Sequence, residues 1–332
     1  MNVLMLGGTM FLGRHLVEVA LDAGHNVTLF NRGQTNADLY PEVRRLRGDR
    51  SSGDYGSLAG ERFDAVVDTC GYFPRAVEQA IDALDGRIGH YTFVSSVSAY
   101  RDYSQAGVTE DSPVGQLDDP EVEEVTGESY GPLKALCEEA AANRMGGRAL
   151  VVRPGLIVGP HDPSDRFTYW VRRVGQGGEV LVPESPDSPT QLIDARDLAS
   201  FTLQLLEQGT SGVYNTVGPN EPATLGDLLD SIRRVSESDA TFTYASVDFL
   251  AEHGVQGWVQ LPMWVPSAGE IRGINQISPA KAIAAGLTSR PIDEITRDTF
   301  DWDRTREQTW PMKAGLTPER EAELLGAWHA RA

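Results

Sequence analysis

The chain has 332 residues, 40% hydrophobic and 23% charged, with a mean hydropathy of -0.30, a profile that excludes one small module and the disordered and fibrous classes. Asp and Glu total 48 against 29 Lys and Arg, a net charge of -19, which repels a phosphate backbone over most of the surface and argues against nucleic-acid binding. No apolar run approaches the ~20 residues a membrane helix needs, the opening MNVLMLGGTM lacks a signal-peptide pattern, and two distant cysteines, Cys70 and Cys137, make neither a disulfide framework nor a zinc site; the expectation is a cytoplasmic protein with no membrane partner and no metal.

Asn2 to Leu6 is a short apolar run broken at once by Gly7 and Gly8, and helical spacing follows through Leu12, Leu16, Val19 and Ala20. Gly24 ends that helix, and Asn26 to Phe30 is a second strand, completing a βαβ unit. Ala65 to Asp68 reads as a buried strand, Val77 to Leu84 as a helix, and Tyr91 to Ser95 and Ala149 to Val152 as further strands. Alternating helices and near-continuous apolar strands predict a Rossmann-like, doubly wound parallel sheet covered on both faces, with a smaller C-terminal substrate domain. After Gly159-Pro160 the texture changes, Pro and Gly become frequent, and Trp258, Trp264, Trp302, Trp310 and Trp328 follow. Gln191 to Leu206 and Val213 to Val217 look again like sheet elements. The expected division is therefore 1–160 with 188–218 as the dinucleotide-binding part, and 161–187 with 219–332 as the substrate part.

GGTMFLG, from Gly7 through Thr9, Met10, Phe11 and Leu12 to Gly13, joins the first strand to the first helix. There a Gly-rich turn lets backbone approach a pyrophosphate, and a helix N-terminus supplies N–H donors and partial positive charge. Its spacing, G-x-x-x-x-x-G, departs from the three-glycine form. At the end of the second strand, where a carboxylate would bind the adenosine ribose, stand Asn31 and Arg32. A neutral Asn beside an Arg favours a 2′-phosphate, hence NADP, with NAD as the alternative.

Tyr130-Gly-Pro-Leu-Lys134 places a phenol and an ammonium four residues apart on one helix face. A lysine near the phenol is expected to lower its pKa and to make proton exchange with a substrate hydroxyl feasible. With ten Tyr in the chain and only Lys134, Lys281 and Lys313 as lysines, chance supplies about 0.1 such spacings. Ser96, at a Ser-rich strand end beginning at Ser95, is placed to donate to the substrate oxygen.

These residues together resemble the short-chain dehydrogenase/reductase superfamily, in its extended or atypical NAD-dependent epimerase/dehydratase branch, over most of the chain. The resemblance implies catalytic roles for Ser96, Tyr130 and Lys134, Lys134 also holding the nicotinamide ribose. It places Asp49 at the adenine amino group, and Ser95, Cys70, Pro154 and Gly155 along the cofactor. Two departures narrow the activity. Val97 and Ser98 stand where dehydratases carry Asp and Glu, and Leu156 and Thr190 replace the Asn and Arg that clamp the diphosphate in UDP-sugar epimerases.

The sequence therefore predicts an NAD(P)-dependent oxidoreductase acting on a small hydroxyl or carbonyl substrate. The alternatives are a sugar epimerase that retains NAD, and a dinucleotide-binding RNA-binding or redox-sensing protein, since GGTMFLG with FNRG also looks like plastid stem-loop RNA-binding members. Family habit adds a homodimer. His161-Asp162 reads as a turn, the acidic stretch Thr109 to Ser129 as a solvated loop, and Trp258 and Trp264 as packing or a substrate wall.

Overall fold

The computed structural model describes residues 1–84, 86–309 and 312–331; Trp310 lies outside them. In chain order the first half comprises β1 (Asn2–Leu6), α1 (Phe11–Asp22), β2 (Asn26–Asn31), β3 (Arg44–Arg47), β4 (Phe63–Asp68), α2 (Pro74–Ala83), β5 (Ile88–Val94), α3 (Tyr130–Met145) and β6 (Ala149–Pro154). There follow β7 (Ile157–Val158), α4 (Arg166–Gly175), β8 (Glu179–Pro183), β9 (Pro189–Thr190), β10 (Ile193–Asp194), α5 (Ala195–Glu207) and β11 (Gly212–Thr216). The chain continues through β12 (Ala223–Thr224), α6 (Leu225–Val235), β13 (Thr241–Ala245), α7 (Val247–Glu252), α8 (Ala280–Ala284), α9 (Ile292–Asp303) and α10 (Pro318–His329).

Seven strands form one sheet in the order β11-β6-β5-β4-β1-β2-β3. Every pairing in it is parallel, so the order reverses between β1 and β4. Alternate residues of one strand serve opposite faces. Val3 and Met5 of β1 join Leu16 of α1 and Leu198 and Phe201 of α5 in one core. Leu4 and Leu6 join Val77 of α2 and Cys137 and Ala141 of α3 in another. The sheet is thus covered on both faces, which explains why its strands read as continuous apolar runs. The exception is β3, Arg-Arg-Leu-Arg, which no apolar pattern predicts; as the outer strand it needs only one partner, β2, and its side chains stay partly or fully exposed.

A third core gathers Phe167, Trp170 and Val171 of α4, Leu228 and Ile232 of α6, Phe249 and Leu324. Trp264 belongs to this core, its indole N–H donating to Glu184 at 2.9 Å. The parallel pair β8 and β13 lies here too. Among the described residues no helix is long and apolar enough to cross a membrane.

The helix carrying Tyr130 is docked by a close approach. A Cβ on Gly131 would sit 2.0 Å from the Ser98 carbonyl oxygen, in the 3₁₀ turn Val97–Ala99 that follows β5. Gly131→Ala should therefore push α3 off that turn, lowering stability by about 1–3 kcal/mol in thermal or urea unfolding.

Candidate active site

The glycine turn shapes the mouth of a cleft of about 690 Å³ at the C-terminal ends of β1, β2, β4 and β5. Gly7 and Gly8 adopt φ of 104° and 89°, where a side chain is strained, and a Cβ on Gly7 would lie 2.6 Å from Thr69 Oγ1. A Cβ on Gly13 would lie 3.0 Å from the Gly8 nitrogen, so the helix closes tightly on the turn. Met10 precedes α1 with no side-chain cap, which leaves the first-turn N–H groups open toward the cleft. This cradle fits a dinucleotide pyrophosphate.

At one end of the cleft, Asn31 donates through Nδ2 to the Gly7 carbonyl at 3.0 Å and accepts through Oδ1 from Gly33 N at 2.9 Å. Its Oδ1 also accepts from Arg47 Nη1 at 3.2 Å, across the β2–β3 register that pairs Asn31 with Arg47. Arg32 lines the cleft and is exposed. Asp49 accepts from the Ser51 amide and hydroxyl at 2.9 and 2.6 Å, contacts that lower its pKa below the usual carboxylate value, the hydroxyl bond contributing most. It too lines the cleft.

Beneath the floor, the Arg50 guanidinium grips the fully buried Asp68 with two bonds of 2.6 and 2.8 Å and donates to Cys70 Sγ at 3.2 Å. The Tyr91 hydroxyl adds a 2.6 Å bond to the same carboxylate. Burial alone would raise the Asp68 pKa, but the Arg50 charge overrides it and the net direction is down. Cys70 faces the cleft, and burial pushes its thiol up, away from the thiolate.

Tyr130 and Lys134, on the first turns of α3, both line the cleft. Lys134 is buried and donates to the carbonyls of Gly71 at 3.0 Å and Val94 at 2.7 Å, its ammonium 4.4 Å from the Phe93 ring centroid. Burial lowers its pKa. The expected lowering of the phenol by lysine is not what the structure shows. Burial raises the Tyr130 pKa above its ordinary value, and the opposing pull comes from the Ser96 hydroxyl and the Arg166 charge.

One turn beyond Lys134, Glu138 forms a buried pair with Arg153 Nε at 2.9 Å and accepts from the Ser95 hydroxyl. Arg153 packs 4.5 Å from the Tyr100 ring. These contacts tie α3 to β6 and to the end of β5.

Gly7, Thr9, Met10, Phe11, Leu12, Gly13, Asn31, Arg32, Asp49, Cys70, Ser95, Tyr130 and Lys134 thus share one cleft, but three expected residues are not among its walls. Ser96 sits beside Tyr130 as the cap of the 3₁₀ turn, its Oγ accepting from Ser98 N at 3.1 Å. Pro154 ends β6, and Gly155 packs on Val217, to which a Cβ would come within 3.0 Å. Both lie on the far side of β5 from the glycine turn, along the sheet order.

The sequence reading missed Arg47, Arg50 and Tyr72. Arg47 stands on the unrecognised β3, and Arg50 has no local motif, since Asp68 is a partner 18 residues away. From the acidic loop, Glu123 reaches the cleft and is held by Arg75 of α2 with bonds of 2.6 and 2.8 Å. His161 packs between Arg14 and Trp302, and burial with the Arg14 charge lowers its pKa to about 4.

A glycine cradle over strand ends, with a half-buried Tyr and a buried Lys on the next wall, defines the class of α/β proteins built around a bound dinucleotide. The chain belongs to the NAD dependent epimerase/dehydratase family, which it matches over residues 3–217. It is 29% identical over 234 residues to the chloroplast stem-loop binding protein of 41 kDa b from Arabidopsis thaliana, a match covering 65% of this chain and 58% of that protein. It is 25% identical over 268 residues to the 2-alkyl-3-oxoalkanoate reductase of Stenotrophomonas maltophilia, covering 70% of this chain and 74% of the reductase. The solved structure of UDP-glucuronic acid 4-epimerase from Bacillus cereus with NAD shares the fold, at TM-score 0.66 and 15% identity, over 92% of this chain and 99% of that one.

The Arg50–Asp68 pair generates a stability prediction. Asp68→Asn leaves a buried guanidinium unpaired and should cost about 3–5 kcal/mol in urea unfolding. Because the folded pKa of Asp68 is depressed, its stabilisation is present above the unfolded value near ~3.9 and is lost as pH falls through the folded value. The variant should therefore show a shallower acid-side decline than the wild type.

Proposed function

We propose that this protein is a nicotinamide-dependent oxidoreductase that interconverts a hydroxyl and a carbonyl on a small substrate, with Tyr130 exchanging the proton. The observation that carries this reading is the placing of Tyr130 and Lys134 together on the wall of the cleft that the glycine turn opens. Gly7 to Gly13 and the uncapped end of α1 would hold the pyrophosphate, Asp49 the adenine, and Lys134 the nicotinamide ribose. When bound, the nicotinamide supplies or accepts the hydride.

The chain's own residues handle the proton. With its pKa raised, the Tyr130 phenol is protonated at neutral pH and acts as an acid toward a developing alkoxide. Ser96, beside it, donates to the same substrate oxygen. The Lys134 ammonium, 5.5 and 4.4 Å from the Tyr72 and Phe93 ring centroids, would stabilise the phenolate left after transfer. The similarity to a reductase over 70% of the chain supports the direction of carbonyl reduction.

Arg32 and Arg47 beside a neutral Asn31 support NADP over NAD, because two guanidinium groups and no carboxylate stand at the end of β2, where a carboxylate would bind the ribose; Asp49 lies further along the same wall. The epimerase reading has less support from side chains. Leu156 and Thr190 are buried and uncharged, and Arg172 and Arg173, further along the chain, are committed to Asp303 and Glu321.

Three measurements test these statements. Tyr130→Phe should keep dinucleotide binding and lose about a hundredfold or more in turnover; a fully active variant overturns the mechanism. In fluorescence titration at fixed salt, NADPH should bind more tightly than NADH, and Arg32→Ala should remove most of a preference worth about 1.5–3 kcal/mol. Across neutral pH the reduction rate should stay flat while alcohol oxidation climbs, since oxidation needs the scarce phenolate. An oxidation rate that falls as pH rises contradicts the raised Tyr130 pKa.

A further inference from the structure

Tyr130, Lys134 and Glu138 stand one turn apart on the same face of α3, and the last two grip adjacent residues at the end of β5. The Lys134 ammonium donates to the Val94 carbonyl at 2.7 Å, and the Glu138 carboxylate accepts from the Ser95 hydroxyl. Glu138 is buried, and its charge is met by Arg153 of β6, which donates through Nε at 2.9 Å and through Nη2. Ser95 is joined to β6 as well: its amide donates at 2.8 Å to the carbonyl of Val152, the neighbour of Arg153. Ser95, Glu138, Arg153 and Val152 thus close a ring of directional bonds around the ends of β5 and β6. Ser95 and Lys134 line the cleft, whereas Glu138 is not on its walls.

An ammonium has three N–H donors. Lys134 commits two of them, to Val94 and to the Gly71 carbonyl at 3.0 Å. The third has no hydrogen-bond acceptor among the described residues, only the Phe93 and Tyr72 rings around it. With two donors anchored, the direction of the third depends on where the two carbonyls stand. The Val94 carbonyl and the Ser95 amide belong to one planar peptide unit, so the bond from Ser95 to Val152 sets the plane in which that carbonyl points. The bond between Glu138 and the Ser95 hydroxyl then holds the residue that carries this peptide against α3.

We propose that Glu138 is a positioning residue of this site: by holding Ser95, it keeps the Val94 carbonyl where it aims the free N–H of Lys134 into the cleft, toward the nicotinamide ribose. This deepens the oxidoreductase reading and rests on it. The arrangement also explains why the group is charged. A neutral amide in its place could accept from Ser95 but would not balance Arg153, and a buried guanidinium left unpaired is strongly unfavourable. One oxygen, Oε1, serves both the Ser95 hydroxyl and Arg153 Nε, so any slip of α3 along β6 is felt directly at the end of β5.

Lys134, Lys281 and Lys313 are the only lysines of the chain, so isotopic labelling of the lysine side-chain nitrogen lets nuclear magnetic resonance follow each ammonium singly. In slightly acidic buffer the Lys134 signal, identified by its loss in Lys134→Met, should exchange its protons slowly with water. Ser95→Ala keeps the carboxylate and its arginine and removes only the grip. It should speed that exchange about tenfold and weaken NADPH and NADH alike, since both carry the nicotinamide ribose, by about fivefold or more. Glu138→Leu combined with Arg153→Met removes the pair without leaving an unpaired charge and should have the same effects. Arg172→Met with Asp303→Leu removes a buried pair elsewhere and should alter neither readout, which separates positioning from general loosening. Fast exchange of Lys134 in the wild type, or unchanged exchange or dinucleotide affinity in either grip variant, overturns the proposal. An equal response to loss of the Arg172–Asp303 pair overturns it too. A wild type that takes up neither dinucleotide removes the oxidoreductase reading as well, whereas dinucleotide binding that both grip variants leave intact removes the positioning role alone.

Discussion

A parallel sheet leaves backbone carbonyls exposed where its strands end, and the cleft of this protein is built on satisfying them. Leu6 at the end of β1 receives the Thr69 hydroxyl at 2.9 Å and the Cys70 thiol at 3.4 Å. Val94 at the end of β5, and Gly71 beyond β4, receive the two bonds of Lys134. Without these donors, several carbonyls would stand desolvated beside aromatic rings, at a cost of about 1–3 kcal/mol each. The residues that complete the sheet are thus the ones that form the cleft, and Lys134, on its wall, also closes a structural account.

Charge is distributed by the same logic. A net charge of -19 would suggest a surface spread of carboxylates, yet several sit inside, each against an arginine. Asp68, Glu138, Asp303 and Glu321 are all buried and all paired. Such pairs add little net stability over apolar packing, but they are intolerant of losing one partner. They join elements far apart in sequence: Glu138 ties α3 to β6, and Glu321 ties α10 to α4 and to the Leu181 amide of β8. Geometry around the cleft is therefore fixed by groups with directional bonds, where apolar contacts alone would permit sliding.

Periodicity made much of the sheet legible. β1, α1 and β2, with the glycine turn between them, follow from apolar spacing and from Gly7 and Gly8, because burial on both faces leaves an uninterrupted apolar signature. Tyr130 and Lys134 were legible from their spacing in a lysine-poor chain. β3 was not, since an edge strand of three arginines and one leucine carries no such signature, and with it Arg47 was lost. Arg50 was illegible in its role for a different reason. What distinguishes it is a carboxylate contributed from elsewhere in the chain, and no local pattern encodes that. Ser96, expected from its place at a strand end, and Pro154 and Gly155, taken from a resemblance, show the converse: they fall beside the cleft and not on its walls.

The return of Gly212–Thr216 to the sheet beside β6 sets a schedule for the chain as it leaves the ribosome. Until those residues emerge, β6, whose six residues are all buried in the finished protein, presents a bare hydrogen-bonding edge. An edge of that kind pairs readily with foreign strands. Some sixty residues separate the end of β6 from the end of β11, so the nascent sheet stays one strand short through the synthesis of α4 and α5. Translational pausing within that interval would be a moment of vulnerability, whereas a pause after Thr216 would find the edge already sealed.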